Sequence, residues 1–108
     1  MDNKKSIQKI LKHIDKILNY TKDMNFNTFN IDEKNIDACL MNFAIVGETV
    51  NDIDENFINE HKEINWKEMK GMRNIIVHDY DGVNTRIVWD TIKDDLPKLR
   101  EQLNNLIV

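Results

Sequence analysis

Apolar residues in this chain recur at steps of three and four, and few residues break the pattern. Ile7, Ile10, Leu11, Ile14, Ile17 and Leu18 make one stripe, which predicts a helix over 6–21 with Ser6 as its N-cap. Ile36, Leu40, Phe43, Val46, Val50, Ile53 and Phe57 make a second, predicting a helix over 32–56. Gly47 lies inside it, at a cost of about 1 kcal/mol relative to alanine; it is either tolerated or marks a close helix approach. Ile92, Leu96, Leu99, Leu103 and Leu106 make the last stripe. Pro97 interrupts it, and the aspartates just upstream suit a kink or a helix restarted with Pro97 in its first turn. Another helix begins near Trp66, with Asn65 as N-cap and Glu68 reaching back. The stretch KDMNFNTFNID reads as a connection with room for one helical turn, its phenylalanines Phe26 and Phe29 tucked against the core. DYDGVN reads as a helix end and turn, with Gly82 supplying a permissive backbone. Three glycines and one proline in 108 residues leave little material for a turn-rich β fold. The expectation is an all-α single domain over 1–108, an up-and-down four-helix bundle with a short extra helical turn.

With 41% hydrophobic and 31% charged residues, the chain reads as globular and not disordered. A net charge of −4 argues against wholesale phosphate binding, so a nucleic acid would have to meet a local patch. Lys62, Lys67, Lys70 and Arg73 supply one beside Glu63 and Glu68, after an acidic stretch holding Glu48, Asp52, Asp54, Glu55 and Glu60. A solvated helix face is the plainer reading of both. Cys39 is the only cysteine, which excludes an internal disulfide and suits an apolar helix position. His13, His61 and His78 are too far apart in sequence to suggest a metal site. His13 and His61 read as surface residues, Trp66 and Trp89 as core. The N-terminus lacks a secretory signal and no apolar run could span a bilayer, so the cytoplasm is the expected location.

The stretch GMRNIIVHDY at 71–80 places an arginine, an asparagine, a histidine and a tyrosine in what otherwise looks like a buried helix. On a helical wheel Met69, Met72, Ile76 and Val77 define a core-facing arc. Arg73 falls inside it. Tyr80 falls beside it if the helix reaches that far, and Asn74 and His78 lie one turn apart beyond its edge. A buried guanidinium is costly unless paired, and Glu48 is the nominated partner. The groups then form an internal ion pair locking two helices, with Tyr80 capping it, or they line a cleft or a subunit interface. Chemistry suits the second. Arginine offers a planar fork for phosphate, and histidine exchanges a proton near neutral pH. Asn74 can orient a phosphate, a base edge or the imidazole, and Tyr80 brings a hydroxyl and a stacking ring.

Arg73-Asn74-Ile75-Ile76-Val77-His78-Asp79-Tyr80 resembles the R-x4-H-x-Y signature of the HepT-like branch of the HEPN superfamily, small α-helical ribonuclease toxins. VGET at 46–49, INWKEMKGMRN at 64–74, IVWDTIKDDLPKL at 87–99 and DKILNYTKD at 15–23 resemble further elements of that family in the same order. The resemblance implies a HEPN-like homodimer whose R-x4-H helices meet near the dyad. It implies metal-independent RNA cleavage, with the 2′-hydroxyl attacking the adjacent phosphate and no cofactor of the chain's own. His78 would be the acid/base group and Arg73 the stabiliser of phosphate charge. Asn74 and Glu48 would position them, and Lys70 with Arg73 would contact the RNA substrate. It further implies a minimal nucleotidyltransferase antitoxin that uses ATP to place AMP on Tyr80, blocking RNA entry. Two other readings stand beside it: a noncatalytic HEPN subunit that binds nucleotide or serves as adaptor to a nucleotidyltransferase, and a purely structural helical dimer.

Overall fold

Asp2 opens the first helix: its carboxylate accepts a hydrogen bond from the Lys4 N–H at 2.9 Å, satisfying one of the free donors of the first turn. Helix α1 (Asn3–Thr21) therefore starts before the expected Ser6, which is buried within it. The computed structural model describes residues 2–107. Helix α2 (Phe26–Asn30) is the short turn anticipated in the connection. It is held by a reciprocal capping box between Asn25 and Thr28. Its Phe29 is fully buried against Trp89, with ring centroids 5.2 Å apart.

Helix α3 (Glu33–Val50) is capped by Asp32 and stops well short of the predicted 56. The chain at Asn51–Ile53 instead makes bonds to carbonyls three residues back, the tightening that ends a helix. Asp54 then exchanges hydrogen bonds with Asn3 across 51 residues of sequence. This fixes a separate helix α4 (Glu55–Glu60), which carries Phe57. The periodicity ran on because Ile53 and Phe57 both reach the core from a different backbone path. Helix α5 (Trp66–His78) begins at Asn65 as expected. The Asn65 side-chain oxygen Oδ1 accepts from the Glu68 N–H at 3.0 Å, and Glu68 reaches back to the Asn65 side-chain amide, not its backbone.

After α5 comes a 3₁₀ turn, Tyr80–Gly82. No glycine among the described residues has a positive φ, so permissive backbone is not what Gly82 supplies. A side chain there would run into the Asp79 carboxylate. The last helical stretch is continuous: α6 (Thr85–Asp90), a π-helical turn at Thr91–Asp95, and α7 (Leu96–Ile107). Pro97 is the second residue of α7. It has no N–H for the carbonyl four residues back, and its ring crowds that carbonyl. The wider π turn just upstream absorbs the mismatch, so the helix widens and does not break.

All regular elements among the described residues are helical, with four major helical stretches. Helix α3 packs on both α1 and α5, and α1 also meets α7. The buried apolar residues form one cluster that includes Trp66 and Trp89 as expected, and Cys39. Burial, with the charge of Asp32 second, pushes the Cys39 thiol up to about 12. His13 is not a surface residue: it is 9% exposed, and its Nδ1 lies 2.7 Å from the Asn42 side-chain oxygen. The Asn42 amide donates to the Ala38 carbonyl, which leaves its oxygen to accept from the imidazole. His61 is half-buried, 3.4 Å from Glu63 and tilted against the Phe57 ring.

Candidate active site

Helices α3 and α5 lie closest at Gly47. A Cβ there would overlap the Arg73 Cβ and come within 2.6 Å of the Met69 carbonyl oxygen. Gly47 thus marks a close approach and is not merely tolerated. The contact also explains the arginine on the apolar arc. Only its carbon stem lies against α3, while its head reaches outward. The guanidinium donates to Glu48 at 3.0 Å through Nη2 and to the Asn74 side-chain oxygen at 3.1 Å through Nη1. The two side chains of the ion pair are 31% and 60% exposed, arginine first. Glu48 is the partner the sequence nominated, but the pair is not buried. An exposed pair contributes about 0–1 kcal/mol, too little for a lock between two helices.

His78 is the last residue of α5 and is exposed. Its imidazole makes no hydrogen bond or ion pair with the described residues. It lies about 7.5 Å along the helix from Arg73 and about 140° round it. Lys67, Lys70 and Asn74 fall between them on the wheel. Lys70 is half-buried and meets no carboxylate among the described residues. The basic stretch is thereby resolved into a cationic strip beside His78, with Glu68 on the far side of the helix. Val77, placed by periodicity on the core-facing arc, is 54% exposed, while Ile75, 56% exposed, lies about 160° round the helix from it in a groove with Val83 and Ile87.

Tyr80 is not on α5, which ends at His78. It does not cap the arginine pair either. From the 3₁₀ turn its hydroxyl donates to Asp37 Oδ1 on α3 at 2.6 Å. That hydrogen bond, then burial, then the charges of Asp37 and Asp81 push the phenol from 10.0 up to about 12. Asp37 was missed in the sequence. The signal was its spacing of eleven from Glu48, three helical turns, which puts both on one face of α3. Met41 lies between them on that face and is 62% exposed.

The motif residues therefore gather on the outer surface of the α3–α5 pair, not in a cavity. A cavity of about 330 Å³ lies on the other side of α5, lined by Phe43, Met69, Met72 and Leu99, with Glu68 and Asp95 among its polar residues. Burial and the neighbouring Asp95 raise the Glu68 carboxyl. None of the motif's polar groups lines it. No group of three or more histidines, cysteines, aspartates or glutamates suited to a metal occurs among the described residues. None of the helices is long and apolar enough to cross a membrane.

On one exposed face the all-helical chain carries an arginine fork, a histidine without a partner among the described residues and a cationic strip, groups chemically suited to phosphate. Comparison with known proteins names the family. The chain belongs to the HepT-like ribonucleases, whose profile, described as Ribonuclease HepT-like, matches residues 10–106. It is similar to a Thermococcus cleftensis protein named "Probable ribonuclease HepT", 34% identical over 104 residues, covering 96% of this chain and 94% of that one. It is also similar to two proteins provisionally named as RNases. One is from Caldanaerobacter subterraneus subsp. tengcongensis, 32% identical over 94% of this chain and 90% of the relative. The other, from Methanocaldococcus jannaschii, is 32% identical over 91% of this chain and 81% of the relative. No solved structure gives a significant match.

Proposed function

We propose that the chain is the endoribonuclease toxin of a toxin–antitoxin pair, active as a homodimer whose two α5 helices meet across a dyad. The observation that carries this reading is the outer face of α5. It holds Arg73 oriented by Glu48 and Asn74, a His78 unengaged among the described residues, and exposed Val77, with exposed Met41 on the Glu48 face of α3. Apolar residues left open beside polar groups suit a face completed by a second copy. RNA supplies the nucleophile. His78 takes the 2′-hydroxyl proton, the 2′-oxygen attacks the adjacent phosphorus, and the 5′-oxygen leaves with a proton returned by an imidazole. Arg73 stabilises charge developing on the phosphoryl oxygens, and Lys70 holds the neighbouring phosphate. These groups suffice without a metal, and the products are a 2′,3′-cyclic phosphate and a 5′-hydroxyl. Acidity elsewhere on the chain favours an RNA bound at this face over RNA bound along the whole surface.

In the same reading Tyr80 is the control point. A partner nucleotidyltransferase transfers AMP from ATP to its hydroxyl. The added negative charge and bulk two residues from His78 then block RNA entry. RNA decay measured with the wild-type protein and with His78→Ala tests the catalytic claim, and equal decay removes it. Sedimentation tests the dimer: Val77→Glu is expected to give monomers, and a dimer undisturbed by that charge would place the interface elsewhere.

A further inference from the structure

We infer that Asp37 is the proton acceptor that makes the Tyr80 hydroxyl a nucleophile toward the α-phosphorus of a nucleoside triphosphate. This rests on the reading of Tyr80 as the nucleotide acceptor and adds to it a residue of this chain on a different helix. The Tyr80 hydroxyl makes one hydrogen bond among the described residues, to Asp37 Oδ1 at 2.6 Å, within the range of a charge-assisted O–H···O⁻ bond. The Tyr80 residue is 43% exposed, so its oxygen can be approached from outside while its proton points into α3. Asp37 is itself exposed and forms no ion pair with the described residues, so it is free to take up a proton and release it to water.

A tyrosine held at about 12 is almost wholly protonated near neutrality. Attack by preformed phenolate is therefore scarce, and a base in contact with the proton during the transfer is needed. Among the described residues Asp37 is the group seated to do this. In the step, the Tyr80 oxygen bonds to the α-phosphorus as the bond from that phosphorus to the bridging oxygen breaks. Pyrophosphate leaves with the electron pair, and the phenol proton passes to Asp37 and then to solvent. The product has no O–H left to donate, so the seat on Asp37 is vacated once the nucleotide is attached.

The test follows intact mass over time with ATP, magnesium and the partner nucleotidyltransferase of the proposed function, using wild type, Asp37→Asn and Asp37→Ala. Both variants are expected to gain AMP at least about 100-fold more slowly and to melt within a few degrees of wild type. The rate deficit of Asp37→Asn is expected to narrow as pH rises, because hydroxide replaces the missing base. Asp37→Asn modified at the wild-type rate, or with the wild-type pH profile, overturns the inference. Loss of folding in both variants also overturns it, in favour of a structural role. A wild-type chain that gains no AMP at all defeats the underlying reading of Tyr80, and that result appears before any variant is compared.

Discussion

Gly47 and Arg73 are in direct contact: the bare Cα of the glycine accepts the stem of the arginine, and a methyl there would overlap the Arg73 Cβ. This one contact sets how near α3 approaches α5 and where the guanidinium emerges. Gly47→Ala tests it. Alanine adds about 1 kcal/mol of helix propensity, but overpacking costs about 1–3 kcal/mol. The Met69 carbonyl, on the backbone of α5, cannot turn aside. A net loss of stability is expected in urea unfolding, and an unchanged or higher midpoint would contradict the contact.

Arg73→Ala separates two roles for the same side chain. Its ion pair with Glu48 is half-buried on the arginine side and exposed on the glutamate side, so unfolding is expected to shift by about 0–1 kcal/mol while RNA cleavage falls by about 100-fold or more. A stability loss of several kcal/mol with cleavage retained would restore the purely structural reading.

Titration of Tyr80 checks its bond to Asp37. In a Tyr20→Phe background it is the only tyrosine, and its phenolate absorbance is expected to appear near pH 12. The folded chain favours the protonated phenol. The stabilisation is therefore full below about pH 10, the ordinary tyrosine value, and is lost as pH rises from there through 12. Asp37→Asn is expected to bring the midpoint back toward 10. A midpoint near 10 with Asp37 intact would refute the hydrogen bond.

His13 and Asn42 form the buried polar link between α1 and α3. His13→Ala leaves the Asn42 oxygen without its donor and is expected to cost about 1–3 kcal/mol. In a double-mutant cycle with Asn42→Ala the two losses should not add. Strict additivity would mean that the bond contributes nothing.

Apolar periodicity carried most of the architecture, because a stripe such as Ile7 to Ile17 has one stable use. It failed where side chains reach one core from two backbone paths, as Val50 and Phe57 do on either side of the turn that ends α3. It also failed for polar pairs. His13 stands three residues after Ile10 and four before Ile17, on the buried stripe, yet only its partner on another helix explains it. The arginine, asparagine and histidine of the site were legible as local chemistry on one helix, and Glu48 followed from Gly47 beside it. Asp37 was not, because its contact with Tyr80 depends on the register of α3 against a turn that lies beyond the end of α5. Val77 was misplaced for a related reason: the wheel counts apolar residues but does not know which face a neighbour covers.

The central claim is that Arg73 and His78 on the outer face of α5 cleave RNA through its own 2′-hydroxyl. Mass spectrometry of a defined RNA oligonucleotide, incubated with the protein in the presence of EDTA, measures this most directly. The account predicts fragments ending in 2′,3′-cyclic phosphate with matching 5′-hydroxyl ends, reduced by about 100-fold or more with His78→Ala. Cleavage by His78→Ala at the wild-type rate, or fragments carrying 5′-phosphates, would contradict it.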